Sequence, residues 1–304
     1  MSLGEFPTPV ECAEKLAVGL WIKREDLAAR PIGGNKVRAL EFLLGGVRPG
    51  DRIVTAGAAG STHALATAVF GRRLGAHVSV FRWPQEMSPN AAIVAARVAQ
   101  AADYAPLLRN IAGAYLRAAA LRLRERGTRW IPAGGSSPLG VLGQVDGALE
   151  LADQIAAGLL PTPRRIVVPL GSGGTAAGLA LGARLAGIEA EIIAVRVAPR
   201  VVANRGRVLR LARGAARLIE RLTGAPVPRP HRASVRVVHG FYGGAYGRST
   251  AVGSAAAERC ARSLQITVDA TYSAKALAAS LAVQARNDGP TLFWLTFDGR
   301  ILKA

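Results

Sequence analysis

The chain has 304 residues, half of them hydrophobic, and carries a net charge of +19. That length builds one large domain or two smaller ones, and the apolar content excludes a disordered tail. No apolar run reaches the roughly 18–20 residues of a membrane helix, and the opening MSLGEFPTPVECAEK carries acids and prolines where a signal peptide carries basic and then apolar residues.

Cys12 and Cys260 have neither metal-ligand nor redox spacing. The expectation is therefore a soluble cytoplasmic protein with reduced thiols, no bound metal and no membrane partner. The charge itself looks like a nucleic-acid signature, but its distribution argues against one. Eleven arginines and one acid, Glu220, lie between Arg196 and Arg236. At 100° per residue Arg207, Arg210, Arg213, Arg217 and Arg221 share one arc, with Val208, Leu211, Leu218 and Leu222 opposite. This reads as a surface helix with a basic solvated face.

In chain order, LWIKRED (20–26) reads as a short strand and 37–44 as the start of a helix. DRIVTAG (51–57) is a buried strand, THALATAVFGRRLG (62–75) a helix, and HVSVFRW (77–83) an alternating strand. Helices follow around 88–103 and at 108–126, then the strand TRWIPAG (128–134) and a helix around 140–157. RRIVVPL (164–170) is a strand, GSGGT a turn, the helix after it reaches about Leu185, and AEIIAVRVA (190–198) is the next strand. Repeated change of period from two to 3.6 predicts an α/β protein with largely parallel sheets. LLPTPRR (159–165) is the candidate hinge.

Parallel sheets bind ligands at the carboxyl ends of their strands, so three strand–turn–helix junctions matter most. In GGNKVRALEFLL, Gly33 and Gly34 permit a tight turn, Asn35 reads as a helix cap, and Lys36 falls in the first helical turn. There the macrodipole disfavours an ammonium, and a neutral amine is what Schiff-base chemistry needs. A surface lysine is the plain alternative. In VTAGAAGSTHALATA, Ser61 caps a helix whose free N–H groups suit a carboxylate, and His63 is either a proton carrier or a structural histidine. In VVPLGSGGTAAGLALG, Gly171, Gly173 and Gly174 expose backbone N–H groups while Ser172 and Thr175 add hydroxyls, which makes a phosphate cradle. The same turn matches the dinucleotide fingerprint G-x-G-x-x-A. The acid that fingerprint requires at the end of the next strand is missing, and Arg196 stands there instead.

Lysine, carboxylate pocket and phosphate cup together suit pyridoxal 5′-phosphate. The chain resembles the fold-type II (tryptophan synthase β-like) pyridoxal-phosphate enzymes, in particular the family of 1-aminocyclopropane-1-carboxylate deaminase and D-cysteine desulfhydrase. The stretches that carry the resemblance run in family order: FPTPVE (6–11), IKREDL (22–27), GGNKVRALEFLL (33–44), GSTHALATA (60–68) and IPAGGSSPLGVLG (131–143). GSGGTAAGL (171–179), YGRST (246–250) and DATYSAKAL (269–277) complete them. The resemblance implies two open-twisted α/β domains: 1–46 with 157–304 holding the cofactor, and 47–156 closing over the substrate. It also implies a homodimer and a small amino-acid substrate. Lys36 then holds the cofactor aldehyde and later moves a substrate proton. Ser61 belongs to the loop that holds the substrate carboxylate, with Thr62 and His63 also binding substrate, while 171–175 holds the cofactor phosphate and Asn35 is a further cofactor-binding residue. Tyr246 and Tyr272 line the substrate pocket.

Departures from the family pattern shape the expected reaction. Gly60–His63 replaces Gln-Ser-Asn-His, which leaves Thr62 to meet the cofactor's phenolic oxygen. Ala39 stands where the family has a lysine near the phosphate, and of the family's His-Thr-Gly-Gly only Thr296 persists, in LTFDG. Ser273 replaces the glutamate that faces the pyridine nitrogen in ring-opening deaminases. A hydroxyl there makes a weaker electron sink, which favours α,β-elimination with ammonia release over cyclopropane opening. Ring opening, a diverged binding protein of this fold, and an NADP-dependent oxidoreductase on the GSGGTA turn are the alternatives.

Overall fold

Two sheets organise the computed structural model, which describes every residue except Asn287, Lys303 and Ala304. The larger has six strands in the order β1-β2-β9-β6-β7-β8, where β1 is Val10–Cys12, β2 Leu20–Arg24, β6 Arg165–Leu170, β7 Glu191–Arg196, β8 Val235–Val238 and β9 Thr291–Leu295. Among the described residues only the β1–β2 pair of this sheet is antiparallel. The smaller is fully parallel, β4-β3-β5, with β3 Arg52–Ala58, β4 His77–Trp83 and β5 Arg129–Ile131. Parallel strands need crossovers, and the helices supply them. They are α1 Lys36–Leu43, α2 Thr62–Arg73, α3 Pro89–Ala101, α4 Ile111–Arg124, α5 Pro138–Ala156, α6 Gly174–Leu185, α7 Arg205–Thr223, α8 Ala251–Leu264 and α9 Ser273–Gln284.

The strands of the large sheet are covered on both faces, which is why RIVVPL and TLFWL are apolar after their first residues, Arg165 and Thr291, and buried at every position. One core unites the inner faces of α5, α6 and α7 with β6 and β7. A second joins α8 and α9 to the other side of β6, β7 and β9. A third gathers α1, α2 and α3 against β3 and β4. Helix α1 thus packs with the small sheet and α5 with the large one, and the two helices pack against each other.

Several expected boundaries shift for identifiable reasons. Strand β2 stops at Arg24 because Glu25–Leu27 coils into a 3-10 turn that turns Glu25 toward Arg38 and Asp26 toward Arg24. Strand β5 is only three residues long, since Gly134 (φ +72°) and Gly135 (φ +69°) turn the chain immediately after it. Helix α5 starts at Pro138, ahead of expectation, because Ser137 accepts from the Gly140 N–H and Pro138 is preorganised for a first turn. Helix α7 carries its basic arc, but its buried stripe is Val208, Leu209, Ala212, Ala215 and Ala216, and Leu222 is 73% exposed. The three carboxy-terminal elements α8, α9 and β9 complete the large sheet and its cover.

Candidate active site

The carboxyl ends of both sheets open onto one cavity of about 650 Å³. Strand β3 delivers Gly57 and Ser61, β4 delivers Trp83, β5 Pro132, β6 Gly171, β7 Ala198 and β9 Thr296. Ligand sites form at such a convergence because helix N-termini and turn amides point the same way. Of the residues singled out from sequence, Asn35, Lys36, Ser61, Thr62, His63, Gly171 to Thr175, Tyr246, Tyr272 and Thr296 all line it. Ser273 does not. It is fully buried at the start of α9, where its N–H donates to the Asp269 carboxylate at 2.9 Å.

Lys36 is the first residue of α1, where both the macrodipole and removal from water oppose a positive charge. Burial alone lowers its amine from 10.5 to about 8. Among the described residues its one hydrogen bond is a long one, 3.3 Å, from Nζ to the Gly134 carbonyl. Among the described residues no carboxylate pairs with it. Gly34 (φ +95°) makes the approach possible, since a Cβ there would lie 2.7 Å from the Thr296 carbonyl oxygen. Asn35 does not cap α1 as expected. It is itself helical, and its Nδ2 donates instead to Thr175 Oγ1 at 2.6 Å, while its carbonyl accepts from Gln144 Nε2 at 3.0 Å. The lysine helix is therefore tied directly to the glycine-rich turn.

That turn is the 171–175 cup at the start of α6. Ser136 Oγ donates to Ser172 Oγ at 2.7 Å and accepts from the Gly174 N–H at 3.2 Å, so the β5–α5 connection braces the cup. The glycines leave no room for side chains: a Cβ at Gly174 would meet Ser136 Oγ at 2.8 Å, and one at Gly171 would meet Tyr272 Cε1 at 2.9 Å. The cup also holds a cation that sequence reading had consigned to solvent. Arg207 lines the cavity, and its Nε donates to the Ser172 carbonyl at 2.8 Å. The basic arc of α7 concealed it, because periodicity says which face a residue is on but not what that face meets.

Across the cavity, Ser61 caps α2 as expected, accepting from the Ala64 N–H at 3.3 Å. Gln85 holds this loop through the Gly60 N–H at 3.1 Å, a brace that no sequence signal marked. His63 contacts Thr55 Oγ1 at 3.2 Å, and burial, with Lys36 nearby, lowers its imidazole to about 3. It is a neutral ring at physiological pH rather than a charged proton carrier.

Tyr246 and Tyr272 meet hydroxyl to hydroxyl at 2.6 Å, with rings edge-on at 6.0 Å. Burial pushes the Tyr246 phenol up to about 12 and the Tyr272 phenol well above its usual range, so both keep their protons. Asp269 fixes Tyr272 in place. Its carboxylate accepts from the N–H groups of Thr271, Tyr272 and Ser273 at 2.8–3.1 Å. DATYSAKAL was conspicuous in the sequence, but only the structure gives its aspartate this role.

A flat group joining an aldehyde to a phosphate fits these residues. The amine at one end is neutral enough to be a nucleophile and lacks a competing carboxylate. The cup at the other end presents amides, two hydroxyls and a guanidinium. A family model described as "Pyridoxal-phosphate dependent enzyme" matches residues 1–296. The chain is 36% identical to nocardicin C-9′ epimerase of Nocardia uniformis subsp. tsuyamanensis, over 90% of this chain and 85% of that protein. It is 32% identical to D-cysteine desulfhydrase of Klebsiella pneumoniae (strain 342), over 94% of this chain and 90% of that protein. A crystal structure described as an ACC deaminase homologue superposes with a TM-score of 0.81 at 26% identity, covering 98% of this chain and 91% of the other.

Proposed function

The chain belongs to the family of pyridoxal-phosphate-dependent enzymes, and from that premise we propose that it is a lyase of desulfhydrase type. It removes the α-proton of a small amino acid, expels the β-substituent and releases ammonia. The observation that carries this reading is the Lys36 amine, lowered to about 8 and, among the described residues, paired with no carboxylate, in the cavity that the phosphate cup and the Ser61 loop also line.

The bound cofactor supplies an electron sink for the carbon bearing the amino group. Lys36 would hold the cofactor aldehyde, and its Nζ would take the α-proton of the substrate. The backbone N–H groups and hydroxyl of residues 171–175 hold the phosphate, and Arg207 supplies the cation that Ala39 does not. Ser61 and the first turn of α2, with Thr62, take the substrate carboxylate. Neutral His63 packs behind them. The Tyr246–Tyr272 pair, protonated throughout the physiological range, positions the substrate and donates a hydrogen bond to the leaving group. The same reading makes the protein cytoplasmic and homodimeric. Of the range 47–156, it takes the small sheet with α2, α3 and α4 as the part that closes to exclude water, because α5 packs on the large sheet.

The identity to an epimerase favours a second reading in which the proton returns to the same carbon and no bond to the β-carbon breaks. One experiment separates the two. The holoenzyme is given a panel of D- and L-amino acids and 1-aminocyclopropane-1-carboxylate in deuterated water. Ammonia and a keto acid from a β-substituted amino acid support elimination. Deuterium at the α-carbon with inverted configuration and no ammonia replaces that reading with epimerisation, and ammonia from the cyclopropane alone replaces it with ring opening.

A further inference from the structure

The cavity continues beyond the residues this chemistry uses. Its outer part is lined by Trp83 and Pro84 at the end of β4, by Ile111 and Tyr115 in the first turns of α4, and by Pro199 and Val202 in the β7–α7 connection. The Trp83 and Tyr115 rings are stacked, 23° from parallel with centroids 6.1 Å apart, and Trp130 braces Tyr115 edge-on at 5.8 Å. This is a fixed aromatic shelf. Yet Ile111 is 53% exposed, Tyr115 41% and Val202 39%. Apolar side chains scattered singly over a surface need no explanation, but three gathered at the mouth of one concavity do. Arg207 and Tyr115 line the same cavity. The chemistry proposed above gives none of these six residues a role.

We propose that the slot receives an aromatic β-substituent, so that the preferred substrate is an S-aryl-cysteine rather than cysteine itself. The inference rests on the elimination reading above and names its leaving group. Lys36 takes the α-proton, the Cβ–S bond breaks, and its electron pair departs with sulfur as an arylthiolate, which takes up a proton to become the thiol. The three-carbon remainder takes up one water and yields pyruvate and ammonium, so no oxidant or reductant is required. A flat ring suits a slot walled by two stacked aromatics and short aliphatic side chains, because offset stacking and apolar burial act together there.

The test compares S-phenyl-cysteine with cysteine, in both configurations, on the holoenzyme, following pyruvate and thiol. The expected result is a kcat/KM for S-phenyl-cysteine at least roughly tenfold above that for cysteine, the scale on which apolar pockets discriminate. Tyr115→Ala and Ile111→Asp, both at exposed positions, should each reduce that ratio several-fold or more. A readout apart from turnover is calorimetric binding of phenylalanine, which has no leaving group. It should bind more tightly than alanine, and both variants should erase the difference. If cysteine is eliminated as fast as S-phenyl-cysteine, or the variants leave the ratio and the phenylalanine affinity unchanged, the slot assignment is overturned while the elimination reading stands. If neither thioether nor thiol yields pyruvate, elimination itself falls and this inference falls with it.

Discussion

Lys23 and Lys36 are both withdrawn from bulk water, and their surroundings are built on opposite rules. Lys23, in β2, donates to the Thr8 carbonyl at 2.7 Å and to Gln154 Oε1 at 2.6 Å, and forms an ion pair with Glu150. Arg38, two residues beyond Lys36 in α1, closes the same cluster. It makes a bidentate contact with Glu25 at 2.9–3.0 Å, another with Glu150 at 2.8–2.9 Å, and lies 4.0 Å above the Phe6 ring. Every charge in that region has a partner of opposite sign, and it ties β2, α1 and α5 together. On the cavity side Lys36 has one long contact to a carbonyl. Both amines are pulled down by burial, but Glu150 and Glu25 pull Lys23 back toward its charged form, whereas nothing does so for Lys36. The comparison teaches that burial alone does not make a lysine reactive. Burial without a counter-ion does, and the paired cluster anchors the helix on which that arrangement depends.

The sharpest way to break the contrast is to remove one amine at a time. Lys36→Ala should abolish the absorbance band of the lysine–cofactor imine and lower turnover by roughly three orders of magnitude or more. Its thermal midpoint without cofactor should stay within a few degrees of the parent. On the paired side, Glu25→Gln leaves Arg38 short of its partner and should destabilise the fold by about 3–5 kcal/mol in denaturant titrations, the range for a broken buried pair. The pH dependence follows the same logic. The Arg38 guanidinium and Lys23 hold the Glu25 carboxyl below its ordinary value against the cost of burial. Its contribution is therefore fully present above the ordinary carboxylate range and is lost as pH falls through the lowered folded value. In urea at acid pH the parent should lose this contribution and the glutamine variant should not.

A smaller effect sharpens the cavity side. Arg207→Gln should weaken binding of pyridoxal phosphate about tenfold, as expected for one charge-assisted contact. Binding of pyridoxal, which lacks the phosphate, should be unchanged. Equal loss for both ligands would mean that Arg207 only shapes the turn. The smallest shift is in pH: the rate of cofactor capture by the apoprotein should rise through about pH 8 and level off above it, because only the neutral Lys36 amine attacks an aldehyde. A rise centred above pH 10 would mean that the amine is not withdrawn from water.

Much of this was legible in the sequence because it is written in local chemistry. The Ser61 cap, the glycine turn before α6 and the position of Lys36 at the head of a helix each follow from a few neighbouring residues. What was not legible joins distant segments. Asn35 reads as a cap, but its amide is drawn to Thr175, 140 residues away in sequence. Arg207 reads as solvated until its helix is packed beside Ser172. Ser136 and Gln85 brace loops through single hydrogen bonds that leave no periodic trace. Ser273 took its expected role from a family comparison, and the fold leaves it buried outside the cavity lining. Strand β9 lies far from its neighbours β2 and β6 in the chain, so its central place in the large sheet emerges only from their pairing.

The central claim is that the unpaired amine, and no other buried lysine, carries the cofactor. Lys275 is a demanding control, since burial lowers it to about 8 as well, but its Nζ is occupied by the Tyr242 carbonyl at 2.9 Å and it does not line the cavity. Loading the protein with pyridoxal phosphate, reducing with borohydride and mapping the modified peptide by mass spectrometry decides the matter. The account predicts a single pyridoxyl adduct on Lys36. An adduct on Lys23 or Lys275, or none at all, would contradict it.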